Sequence, residues 1–202
     1  MPKSQPYQPL VLRLLHGLNG VLVLIAFITG FLVYDSYDGR FFRVGLTTPN
    51  NRSLIDLHGT FAFGLFFVFI AFAIYCIRLG KKRLIQTDSW SKLTEVGKPI
   101  WWYTLHRVAN TIALLAVTLA VATGKLQDEN WLPQGQMDSI WYSLHLIAWV
   151  LVGLAIALHV LMAVKVGGLP LLLSMTNLRY KATDSPKLWG QKLQSWLRQP
   201  RF

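Results

Sequence analysis

At 202 residues, with 53% hydrophobic and only 14% charged side chains and a mean hydropathy of +0.39, the chain is composed like a membrane protein. That composition leaves no room for a separate soluble domain beside the membrane one. The net charge of +11 invites a nucleic-acid partner, but the cations are sorted by position along the chain, which points to a topology signal and to no nucleic acid.

Four apolar stretches exceed the roughly 20 residues needed to cross a hydrocarbon layer of ~30 Å. They are Leu10–Tyr34, Leu54–Leu79, Ile100–Thr123 and Ile140–Val166. The first is too long for a leader's apolar core, lacks a small-residue cleavage site, and carries Arg13, His16 and Asn19. Pro9 suits its first turn. The loop 35–51 holds turn residues and aromatics and is expected to lie against the outer surface. Ser53 with Asp56 reads as a capping pair for the second span. Cys76, inside that span, is the chain's one cysteine; it can form no intrachain disulfide and reads as a small packing residue. Pro99 opens the third span, followed by an interfacial belt of Trp101, Trp102 and Tyr103, and Gly124 is expected to end it. No internal repeat is evident.

After the fourth span, "GGLPLLLSMTN" is too short to cross. Further on, Trp189, Leu193, Trp196 and Leu197 share one face, which predicts a helix lying in the interface; a loosely ordered basic tail is the alternative. The division is therefore a membrane domain, 1–170, and a cytoplasmic-side tail, 171–202. With the N-terminus, the 78–107 connection and the tail on one side, that side holds 16 of the 20 cations, and the other holds six of the nine acids. The positive-inside rule then puts both termini in the cytoplasm or its stromal equivalent, in a plasma membrane or a thylakoid-type membrane.

All five histidines lie within these spans: His16, His58, His106, His145 and His159. Ionisable groups are costly there, so each is a candidate functional residue, with an interhelical hydrogen bond as the plain alternative. Because consecutive spans alternate in direction, His58 and His145 share an outer layer, while His16, His106 and His159 share an inner one. His145 and His159 are fourteen residues apart, a rise of about 21 Å on one helix face. Two facing imidazoles at one depth can take both axial positions of a haem iron. No Cys-x-x-Cys-His occurs, so such haems would be non-covalent and of b type. Gly30 falls at the outer layer and Gly153 midway between the layers. Gly17, Gly20, Gly59 and Gly64 lie near His16 or His58, where a macrocycle needs close backbone approach; ordinary small-residue packing explains the same glycines.

The stretches "RLLHGLNG", "DLHGTFAFGLFFVFIAFAIYCIRLG" and "SLHLIAWVLVGLAIALHVLMAV" give the chain a resemblance, over residues 8–170, to the bacterial cytochrome b561 family. That family includes the di-haem cytochrome b subunits of nickel-iron hydrogenases and formate dehydrogenases. The resemblance implies an all-α membrane protein, a four-transmembrane-helix bundle binding two b-type haems. It assigns His16 with His159 to the inner haem iron and His58 with His145 to the outer one. Family members often carry Gln where "YTLHRVAN" has His106, so His106 reads as a polar residue near the inner haem or a quinone. The segment "KVGGLPLLLSM" carries less charge than its family counterpart, which bears on contact with a partner subunit. A cytochrome-b6-like domain is disfavoured, because only one helix here bears a spaced histidine pair.

Arg13 and Arg107 inside, and Arg52 or Lys125 outside, are candidate partners of haem propionates. Arg13, His106 and Arg107 together suggest a quinone site. Two functional classes follow. One is a membrane subunit that serves a dehydrogenase or hydrogenase and exchanges electrons with quinone. The other is a stand-alone quinone-linked oxidoreductase that takes electrons from a soluble donor. A homodimer is compatible with either. The alternative class is a haem-free or sensory membrane bundle, or a plain membrane anchor for a partner enzyme.

Overall fold

The computed structural model describes residues 7–127 and 139–198. Four long helices carry the fold: α1 (Leu10–Tyr37), α2 (Arg52–Arg78), α4 (Pro99–Lys125) and α5 (Ile140–Thr176). A short helix, α3 (Ser89–Lys92), lies in the α2–α4 connection, and α6 (Trp189–Arg198) closes the described chain. No strand occurs among the described residues. Each long helix is long and apolar enough to cross a membrane. In lipid every backbone polar group must be paired within its own segment, and these unbroken apolar runs meet that demand only as helices.

Helices α1 and α2 pack as one hairpin, and α4 and α5 as another. The two hairpins meet in a thin apolar middle: Val23 of α1, Leu65 and Phe69 of α2, Ala116 and Val117 of α4, Val152 and Ala155 of α5. These residues lie about two turns along from His16, His58 and His145, so the core separates the two histidine layers.

Helix boundaries differ from the sequence expectation, and α1 runs on to Tyr37, three residues into the expected 35–51 loop. The cap of α2 is Asn51, whose side chain accepts from the Ser53 N–H at 3.1 Å; the helix starts at Arg52, too early for a Ser53–Asp56 pair. Gly124 does not end α4, which runs on to Lys125. The segment after Val166 stays helical to Thr176, across a kink at Gly168 (φ 64°, ψ −166°) with Pro170 two residues on. Pro99 does open α4.

The loop after α1 folds back onto that helix's end. The buried carboxylate of Asp35 accepts from the N–H groups of Val44, Gly45, Leu46 and Thr47 at 2.7–3.2 Å. Tyr142 of α5 donates to Asp38 at 2.8 Å and so latches the loop to the second hairpin. At the other end of the bundle the tail clasps the start of α1. Asp184 accepts from the Tyr7 hydroxyl at 2.6 Å and from the Leu10 N–H at 2.5 Å. Buried Arg13 donates to the carbonyls of Asn177 and Arg179. The tail does form a helix, α6, where one was expected; the side chains of Trp196 and Leu197 lie outside the described residues, as do Lys3, Arg201, Asp128, Glu129 and Asp138.

Candidate functional site

The outer layer joins α2 to α5. His58 and His145 face each other with ring centres 6.2 Å apart and planes at 72°. Each ring is held from behind by the preceding helix of its own hairpin. Thr29 of α1 donates its hydroxyl proton to Ile25 O at 2.8 Å and meets His58 Nδ1 at 3.0 Å. Thr123 of α4 donates to Leu119 O at 2.7 Å and meets His145 Nδ1 at 3.0 Å. With the hydroxyl proton given to the carbonyl, each ring would donate from Nδ1 to the threonine oxygen and keep the lone pair of Nε2 free. A glycine follows each threonine. A Cβ on Gly30 would stand 3.2 Å from His58 Cε1, and one on Gly124 would stand 3.1 Å from His145 Cε1. With a side chain at either position the ring would have to give way by a few tenths of an ångström.

The inner layer joins α1, α4 and α5. His159 is its centre: its ring lies 6.0 Å from His16 with planes at 36°, and 6.0 Å from His106 with planes at 42°. His159 Nδ1 meets Asn110 Oδ1 at 2.9 Å. The Asn110 amide nitrogen donates to Arg83 O at 2.9 Å, which leaves Oδ1 as the acceptor and again puts the histidine proton on Nδ1. His16 rests edge-on against Phe72, 6.0 Å between centres.

The other candidates divide. Arg107 is half-buried beside His106 on α4, while Arg52 and Lys125 are exposed at the outer ends of α2 and α4. Arg13 turns its two terminal nitrogens to the tail, leaving its buried Nε without a partner among the described residues. Asn19, whose Oδ1 is also buried and unpaired among the described residues, lies as far beyond His16 as Arg13 lies before it. Gly153 accommodates a neighbouring helix: a Cβ there would stand 3.0 Å from the Phe27 ring, which stacks on Trp149.

An imidazole–metal–imidazole unit with bonds of about 2 Å holds its ring centres about 6 Å apart. Both layers have that spacing, and each has a ring whose Nδ1 is met by a hydrogen-bonding side chain. The donor set therefore fits a bis-histidine haem in each layer. No cluster of three or more His, Cys, Asp or Glu side chains is placed to hold a bare metal ion among the described residues, and a haem iron needs only two from the protein.

The fold is that of an integral membrane helical bundle. A model of prokaryotic cytochrome b561 matches residues 7–177, and the chain belongs to that family. Membership implies b-type haem and electron transfer across the membrane. No curated protein and no solved structure matches the chain.

Sequence reasoning found the five histidines but missed what stands behind them: Thr29, Thr123, Asn110 and the role of Gly124. A signal existed. The dipeptide Thr-Gly occurs at 29–30 and again at 123–124, and an arginine, Arg13 or Arg107, precedes each threonine by sixteen residues.

Proposed function

We propose that the chain is a di-haem b-type cytochrome that carries single electrons across the bilayer and exchanges them with quinone on the inner side. The observation that carries this reading is the pair of imidazole sandwiches, at 6.2 Å and 6.0 Å, on opposite sides of one apolar core. His58 and His145 bind the outer iron and His16 and His159 the inner one, through the Nε2 of His58, His145 and His159, whose Nδ1 protons are held elsewhere. Bound haem supplies a one-electron couple in each layer, with both axial positions filled by protein.

The rest of the work belongs to the chain. Val23, Leu65, Phe69 and Val117 keep water out of the layer between the sites. Arg107 inside, and Arg52 or Lys125 outside, are the cations we assign to the propionates. His106 lies beside His159 without a hydrogen-bond partner among the described residues, and with Arg107 it forms the quinone-facing edge of the inner layer. The cation bias sets both termini, and the 171–202 tail, on the cytoplasmic side.

Haem quantitation with a reduced-minus-oxidised spectrum tests the reading. Two acid-acetone-extractable haems per purified chain are expected. One or fewer in fully loaded protein, or haem that resists extraction, overturns it. Unchanged quinone turnover in His106→Leu, with both haems retained, would remove the quinone site alone.

A further inference from the structure

Resting on the di-haem reading, we infer that Thr29 and Thr123 are paired positioning residues that set the reduction potential of the outer haem alone. Back-bonding to the carbonyl four residues earlier is common for threonines in helices, and Thr60, Thr104, Thr111 and Thr118 all do it here without touching a histidine. Thr104 is as buried as Thr29 and Thr123, at 1% exposure, so what sets these two apart is the partner they meet. Both are buried, at 5% and 2% exposure, both point at a histidine Nδ1 at 3.0 Å, and both precede the glycine that lets that ring approach.

The arrangement is two-fold in character. Each hairpin lends a Thr-Gly from its first helix to a histidine on its second, and the two histidines meet across the bundle. The outer layer is thus symmetric in its supports. The inner layer is not: His159 leans on an amide oxygen, and His16 has only ring contacts among the described residues.

A hydrogen bond from Nδ1–H makes an imidazole a stronger donor through Nε2. A stronger donor stabilises the oxidised, more positive iron. Two such bonds on one iron therefore hold its potential down, and removing either should raise it. Because the supports of the two layers share no residue, the other haem should not respond.

The test is a spectroelectrochemical titration of the full chain, with low-spin ferric electron paramagnetic resonance on the same samples. The wild type should give two one-electron waves. Thr29→Val and Thr123→Val should each shift one wave, the same one, to higher potential and change one low-spin signal. Thr29→Ser and Thr123→Ser should return both to the wild-type position. Asn110→Leu should move the other wave. Loss of the outer haem in the valine variants with retention in the serine variants also supports the inference. Unchanged waves, equal shifts of both waves, or loss of the haem in valine and serine variants alike overturn it. A wild type with fewer than two waves and fewer than two haems overturns the di-haem reading itself, and the inference with it.

Discussion

Asn110 and His159 meet across α4 and α5 at 2.9 Å, and the same amide reaches Arg83 O in the α2–α4 connection. One side chain thus ties the inner imidazole to the loop that closes the inner face. Its position has a counterpart. Asn110 precedes Thr123 by thirteen residues, as His16 precedes Thr29. Likewise Phe72 follows His58 by fourteen, as His159 follows His145. Equivalent places in the two hairpins thus hold a histidine and its support in one, and an aromatic wall and a histidine in the other.

Asn110→Leu removes both hydrogen bonds and strands two polar groups in an apolar setting. The expected cost is about 1–2 kcal/mol in bundle stability and about 10–100-fold in inner-haem affinity. Thermal melting followed at the haem band, with stoichiometry after dilution, measures both. Retained stoichiometry and an unchanged melt would show that the contact contributes nothing.

The ligand assignment separates by variant. His58→Ala and His145→Ala should each lose the outer haem and keep much of the inner one. His16→Ala and His159→Ala should do the reverse. His106→Ala should keep both. If His106→Ala abolishes the inner haem while His16→Ala leaves it intact, α4 rather than α1 supplies the ligand opposite His159. Haem quantitation on each purified variant decides.

The spans and the histidine layers were legible in the sequence because both follow from a fixed rise per residue and the alternation of helix direction. Side-chain supports were not, because they depend on which helix lies behind which. Gly124 shows the difference. A glycine followed by Lys125 near the end of an apolar run looks like a helix stop, and only the packing of α4 against α5 reveals it as the space His145 occupies. The kink at Gly168 was missed for a related reason: Pro170 breaks a helical bond, but the apolar run after it still favours helix, so the chain bends without stopping.

Gly30→Ala and Gly124→Ala should each displace an outer imidazole, since the added Cβ would lie 3.2 Å and 3.1 Å from a ring carbon. Reduced outer-haem content is the expected outcome. Gly64→Ala is the control: its Cβ would meet only Leu22, at 3.9 Å, and replacing glycine inside a helix favours the fold by up to about 1 kcal/mol. Equal haem loss in all three variants would show a general effect of glycine substitution rather than ring displacement.

Asp184 makes the tail clasp sensitive to acid. Burial alone would raise its pKa, but the Tyr7 hydroxyl, the Leu10 N–H and the nearby Lys192 and Arg13 together hold it below the usual carboxylate value. A depressed carboxylate stabilises the clasp above its unfolded pKa of about 3.9; that contribution is lost as pH falls through the lower folded value. The tail should therefore resist protease at neutral pH and be released under acid, below about pH 4. Asp184→Asn should release it at neutral pH. Equal cleavage of wild type and Asp184→Asn at both pH values would assign the clasp to Arg13 alone.

The last prediction concerns orientation. The clasp brings Tyr7 and Asp184 together, so the described start of the chain and the tail lie at one end of the bundle. That is the end of the inner layer, where Lys81, Lys82, Arg83, Lys92 and Lys98 also sit, in or beside the α2–α4 connection. The opposite end holds the Asp35-centred loop and the pair Asp38–Arg40, joined at 2.8 Å. A cation excess beside short loops is retained on the cytoplasmic side during insertion. Tags at either terminus should therefore be protected from external protease in intact cells, while a tag in the 35–51 loop should be cleaved. The outer haem, under that loop, should be reduced first by a membrane-impermeant donor added outside. Externally cleaved termini would reverse the orientation and exchange the faces assigned to donor and quinone, while leaving the haem ligands where they are.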